Sequence, residues 1–219
     1  MYLEFLHHYS YADFYLPKNK GVYMPQQTTK TVTTFFGSAR LNGKTGWLLD
    51  QVTASFNKHK DNDMAIRNID LYDYKISPLS RSFIENKSEA PLDDDMKELI
   101  PMILTSKVIL LATPIYWFTV SGIMKNFLDR WYDFSDERAK LNLDGKGLAV
   151  LTAHANPSST MPFPVYKMME EGANFLNMVY LGGADIITSA ESGSNEYAIS
   201  VKTAELLGKR ITDFLRYSK

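Results

Sequence analysis

The apolar run at 108–112, followed at once by Thr113-Pro114-Ile115-Tyr116-Trp117-Phe118-Thr119-Val120-Ser121-Gly122, most constrains what this chain can fold into. Val-Ile-Leu-Leu-Ala is too short and too uniformly apolar for a surface helix, so it reads as a buried strand. Pro114 cannot donate to a ladder, and the strand is expected to stop there. Two large aromatics then stand on the loop at the strand's carboxyl end. An apolar loop in that place is where open α/β sheets hold flat ligands. A second loop, Gly37-Ser38-Ala39-Arg40-Leu41-Asn42-Gly43-Lys44-Thr45, follows the first apolar strand and has the make-up of a phosphate cradle. Together the two loops suggest a phosphorylated planar cofactor.

The rest of the chain alternates between the two periods. Strands are expected at 31–36, 64–71, 108–112, 147–152 and 179–188, the last broken by Gly182 and Gly183. Helices are expected at 45–59, 93–105, 120–134, 165–177 and 196–217. Trp47, Leu48, Val52 and Phe56 share one face of the first helix. Asp93, Asp94 and Asp95 open the second, at the positive end of its dipole. Pro101 predicts a break or kink within it. Long loops are expected at 72–91 and 155–164. Strand and helix in alternation predict an α/β three-layer sandwich around a five-stranded parallel sheet of order 2-1-3-4-5, with right-handed crossovers. In that order the first and third strands are neighbours, and the crevice between their carboxyl ends is the topological switch point. Both loops open there.

Residues 1–30 stand apart as an aromatic arm with seven aromatics, Tyr2 to Tyr23, interrupted by Pro17, Gly21 and Pro25. Such a surface is expected to be covered, by its own domain, by a partner subunit or by the ligand site. Residues 31–219 form the ligand-binding domain in this reading. With 24 basic and 25 acidic residues the net charge is -1, so no global field favours nucleic acid. There is no cysteine, which excludes disulfides, a thiol nucleophile and Cys-ligated clusters. No apolar stretch is long enough for a membrane span, and Glu4, His7, His8 and Asp13 interrupt the start, so a cytoplasmic protein is expected. No metal site is expected, because His7-His8 lacks spaced acidic or histidine partners. The Asn86-Lys87-Ser88 sequon has no secretory context, and no Gly-x-Ser-x-Gly elbow supports serine hydrolysis.

The chemistry of the loops is specific. Ser38, Arg40, Asn42, Lys44 and Thr45 supply hydroxyls, an amide and two cations around a helix start. Free N–H groups and the dipole of that helix favour a dianion. The loop matches neither the dinucleotide glycine pattern nor the P-loop, for which Gly37 lies one residue too far from Gly43. An ordinary polar turn with Thr45 as N-cap is the alternative. In the second loop, Tyr116 and Trp117 offer a flat wall and N–H donors, as an isoalloxazine requires. The alternative is that both rings cap the core. His154, at the carboxyl end of the fourth strand, is a candidate donor to a flavin or a product, or else a solvated loop histidine.

These motifs, with Lys125-Asn126-Phe127-Leu128-Asp129-Arg130 after them, resemble the NAD(P)H-dependent FMN reductase family of flavodoxin-like proteins. That family typically reads G-S-P-R-x-x-G-N-T, then S-P-V-Y-W, then L-K-x-F-I-D-R. The likeness spans 31–219 in order and spacing. It implies a flavodoxin-like fold, bound FMN, hydride from NAD(P)H and a homodimer with the flavin near the subunit boundary. Ser38, Arg40 and Thr45 match the phosphate contacts, and Pro114, Ile115, Tyr116 and Trp117 match the loop along the ring. Ala39 and Lys44 replace the usual proline and asparagine. Phe118 replaces a small residue and narrows the space over the ring. A third flavin loop is implied at Ala153-His154-Ala155-Asn156, where the family's glycines are missing. Asp129-Arg130 is read as structural.

The leading expectation is an FMN-dependent NAD(P)H oxidoreductase that reduces a small-molecule electron acceptor such as a quinone or free flavin. A flavodoxin-type electron carrier and a flavin-free binding module are the alternatives. Near-neutral charge and the cations Arg40 and Lys44 weigh against the carrier.

Overall fold

The computed structural model describes residues 29–79, 94–132 and 142–218. The aromatic arm lies outside the described residues except for its last two, as do His7-His8, the sequon and most of the 72–91 loop. The elements in order are β1 (Lys30–Phe36), α1 (Lys44–His59), β2 (Met64–Asp70), a 3-10 turn (Leu71–Asp73) and α2 (Met96–Thr105). They continue with β3 (Val108–Tyr116), β4 (Thr119–Val120), α3 (Gly122–Asp129), β5 (Gly147–His154), α4 (Phe163–Phe175), β6 (Val179–Ile187) and α5 (Asn195–Tyr217).

Five strands run parallel in the order β2-β1-β3-β5-β6, the order expected of the parallel strands. A sixth, β4, turns back antiparallel on the end of β3. One face of the sheet buries Val32, Leu110 and Leu151 against Leu48, Val52 and Phe56 of α1 and Leu207 and Ile211 of α5. The other buries Phe35, Ile109 and Val150 with Leu99 of α2, Phe127 of α3 and Met169 of α4. Alternation along each strand therefore feeds two separate cores, which is what makes the parallel strands read as continuous apolar runs. Trp47 is only half-buried, stacked on Tyr197 at 4.7 Å between centroids.

Several boundaries differ from expectation, each for a local reason. Pro114 does not end β3, which continues to Tyr116 and pairs Pro114 with Ala153 of β5. The Ala112 carbonyl accepts from the Gly37 N–H, so residues of that parity face β1. The missing N–H of Pro114 thus falls on the side where β1 has already ended. Pro101 does not break α2, because Met96, Leu99 and Ile100 before it and Ile103 after it are fully buried against the core. That burial offsets a proline cost of about 3 kcal/mol. Asp94 and Asp95 precede α2 as expected of its start. Gly182 and Gly183 do not break β6; the register shifts by one residue at Leu181, between Tyr180, which pairs with Leu148, and Gly182, which pairs with Ala149. Gly182 has φ +92, and the displaced Leu181 carbonyl accepts from Arg210 at 2.7 Å. α3 is shorter than expected and starts after its N-cap Ser121. α4 starts earlier, with proline in its first turn, where no N–H is needed.

Arg130 is read structurally in the fold as in the sequence. It is fully buried and meets Asp94, equally buried, at 2.5 Å. Asp94 also accepts from the Ser77 and Met96 N–H groups, tying the segment after β2 to α2 and α3.

Candidate active site

The two loops meet at the carboxyl edge of the sheet, joined by a buried hydroxyl. Ser121 Oγ caps α3 and donates to the Gly37 carbonyl at 2.5 Å, while its N–H donates to Thr113 Oγ1 at 3.0 Å. Thr113 and Ser121 are both buried. The start of the phosphate-type loop is thereby fixed to both legs of the β3–β4 hairpin. Neither residue was among the expected site residues, although each lies in the motif.

Within residues 37–45, Ser38 is buried and Arg40 is exposed. Ser38 Oγ is held loosely, 3.3 Å from both the N–H and the carbonyl of Arg40. The Arg40 guanidinium makes no bond to the described residues. Gly43 caps α1 without any side-chain hydrogen bond, so no capping side chain engages the first-turn N–H groups at the positive end of the helix dipole. Gly46 lets the loop fold onto that turn: a Cβ there would stand 2.3 Å from the Leu41 carbonyl oxygen. These features fit a phosphate. Thr45 is buried beneath the turn and Asn42 is exposed on it. Lys44 points elsewhere, donating to the Ala190 carbonyl at 2.6 Å and lying 5.8 Å from the rings of Trp47 and Tyr197.

The aromatic loop is a two-residue hairpin. Tyr116 pairs with Thr119, and Trp117 and Phe118 between them have φ 49 and 65. Positive φ at both central residues defines a type I′ turn, ordinarily Asn-Gly. A bulky residue held there costs roughly 1–2 kcal/mol, and such strain gathers at functional sites. All three rings are outside the core: Tyr116 is 48% exposed, Trp117 92% and Phe118 59%. Core capping, the alternative reading of this loop, does not describe them. Pro114, Ile115 and Ala153 are buried, so they offer the site backbone more than side chain.

The third loop begins at His154, which is buried with both ring nitrogens engaged. Nδ1 lies 2.7 Å from the Asn156 carbonyl and Nε2 3.3 Å from Asp185. Burial disfavours the imidazolium, but the Asp185 carboxylate and the Asn156 carbonyl outweigh it and hold the pKa above its ordinary value. Tyr166 completes the cluster, donating to Asp185 at 2.8 Å. Burial and that carboxylate keep its hydroxyl protonated. His154 is therefore turned inward as a brace for the loop. Among the described residues no cluster of His, Cys, Asp or Glu suits a metal ion, and no helix is long and apolar enough to cross a membrane.

Comparison with known proteins agrees with this geometry. Residues 31–192 match the model of the NADPH-dependent FMN reductase family. A putative NAD(P)H-dependent FMN-containing oxidoreductase, YwqN of Bacillus subtilis (strain 168), is 26% identical over 152 residues, covering 67% of this chain and 78% of that protein. The FMN-dependent NADH-azoreductase of Bacillus anthracis, solved with FMN, superposes with a TM-score of 0.62 at 15% identity, over 84% of this chain and 100% of that one. The NAD(P)H:quinone oxidoreductase of Methanothermobacter marburgensis gives 0.64 at 14% identity, over 84% and 96%. These two establish the flavodoxin-like fold. The matched family model spans most of the chain and both loops, and the protein belongs to the NADPH-dependent FMN reductase family, as an FMN-dependent NAD(P)H oxidoreductase.

Proposed function

We propose that the carboxyl rim holds FMN with its phosphate on residues 38–45 and its ring along residues 114–118, and that the protein reduces a small flat acceptor such as a quinone or free flavin. When bound, the flavin takes a hydride from NAD(P)H and returns two electrons to the second substrate. Arg40 and Ser38 bind the phosphate, with the first turn of α1 behind them. Tyr116 and Trp117 give the ring a wall and keep water from one side of it, and Phe118 narrows the space over it. Thr113 and Ser121 keep both loops in register. Asn42 and Thr45 complete the phosphate loop, and Lys44 sets the local field from the Ala190 side. His154 positions the third loop at Ala153 in place of donating a proton. The observation that carries this reading is the strained, exposed Trp117-Phe118 turn tied through Ser121 to an uncapped helix start. A homodimer as its assembly rests on the family resemblance.

The test is anaerobic. Protein reconstituted with FMN should lose its absorption near about 450 nm, a flavin property, on addition of NADPH or NADH, and regain it on addition of a quinone. Bound FMN that neither nucleotide bleaches would make the protein a carrier.

A further inference from the structure

We propose that Phe118 selects the second substrate, favouring flat ring acceptors over acceptors that lack a ring face; this rests on the FMN reading above. Trp117 and Phe118 occupy the two turn positions that Asn-Gly fills without strain. Packing does not demand them, since Phe118 is 59% exposed and Trp117 92%. The hairpin is held without their rings, by the Tyr116–Thr119 and Ile115–Val120 pairs. An aromatic residue that neither eases its turn nor fills the core is left with an outward contact. The tip also cannot swing away. Thr113 and Ser121 pin its two legs to each other, and Ser121 pins them to Gly37 of the phosphate-type loop. Leu41, 68% exposed on that neighbouring loop, adds apolar surface to the same rim.

A ring fixed beside the flavin wall gives a flat acceptor an offset or edge contact of its own. A quinone takes up two electrons and two protons to become the hydroquinone. NAD(P)H supplies the hydride and becomes NAD(P)+, and solvent supplies the second proton. A compact metal-cyanide complex takes single electrons and gains nothing from a ring.

The experiment compares FMN-loaded wild type, Phe118→Gly and Phe118→Tyr with a naphthoquinone and with ferricyanide, both with NADPH in excess. The ratio of kcat/KM for naphthoquinone to that for ferricyanide should fall about fivefold or more in Phe118→Gly. Phe118→Tyr, which keeps the ring, should restore it. The flavin-free Phe118→Gly protein should also melt about 2 °C or more above wild type, because glycine relieves the turn. An unchanged ratio in a protein that binds FMN and oxidises NADPH would overturn the selector role alone. A lower melting temperature in Phe118→Gly would show that the ring packs the fold, and would overturn it as well. Failure of wild type to bind FMN would instead overturn the reading beneath it.

Discussion

The carboxyl rim of the sheet and the polar frame below it use the same residue types to opposite ends. In the frame, polar groups close on one another. Arg67 donates to Thr33 and to the Met102 carbonyl, and the Ser106 hydroxyl is within hydrogen-bond distance of both as well. Lys146 donates to the Leu104 and Ser106 carbonyls at the end of α2, with its pKa pushed down to about 8 by burial and by Lys107. Arg130 is fully buried against Asp94. At the rim, Arg40 reaches solvent, α1 starts without a side-chain cap, and Trp117 and Phe118 are strained and exposed. The contrast teaches where to look for function. A buried cation held by acceptors of the fold serves stability, and an exposed cation beside an uncapped helix start and a strained turn marks a candidate site.

The largest effect should come from the frame. Asp94→Ala removes the buried carboxylate that meets Arg130 and accepts from the Ser77 and Met96 N–H groups, and should lose about 3–5 kcal/mol of unfolding free energy. Urea unfolding followed by circular dichroism measures it. FMN affinity of the folded protein should change less than Arg40→Ala changes it. A stable Asp94→Ala protein with impaired FMN binding would erase the distinction between the two regions.

A smaller effect sharpens the boundary between them, at the His154–Asp185 brace. The folded pKa of His154 is raised, so the folded state holds its proton more tightly than the unfolded chain. The contribution is fully present below the ordinary value of 6.5 and is lost as pH rises through the raised folded value. The unfolding free energy of the flavin-free protein should fall in that window, and Asp185→Asn should flatten the slope. A slope unaffected by Asp185→Asn would remove the brace.

The sheet order was legible because the parallel strands are buried on both faces and read as apolar runs. Val108–Tyr116 shows both the strength of that signal and its limit. Its core was plain, but whether Pro114 ends it depends on which side its missing N–H faces, and that is set by where β1 stops. The loop at 37–45 could be singled out through Gly37, Ser38, Arg40 and Gly43 because its composition is local in sequence; the phosphate it is proposed to hold is for the FMN titration to test. The hairpin was not, because Trp117-Phe118 is the wrong turn chemistry, and strain hides a turn from any propensity rule. The direction of the Lys44 side chain was hidden for a related reason. Its partner, the Ala190 carbonyl, is far away in sequence and close only in the fold. Asp185 and Tyr166 gave no signal of their own, since their link to His154 is made by the register of β5 on β6.

The most direct test of the central claim is calorimetric titration of flavin-free wild type and Arg40→Ala with FMN and with riboflavin. A charge-assisted bond to the phosphate contributes about 1.5–3 kcal/mol. FMN should therefore bind Arg40→Ala about ten- to hundred-fold more weakly. Riboflavin, which lacks the phosphate, should bind the two proteins within about twofold of each other. Equal losses for both ligands would contradict the account, because the loop at 37–45 would then not be where the phosphate lies.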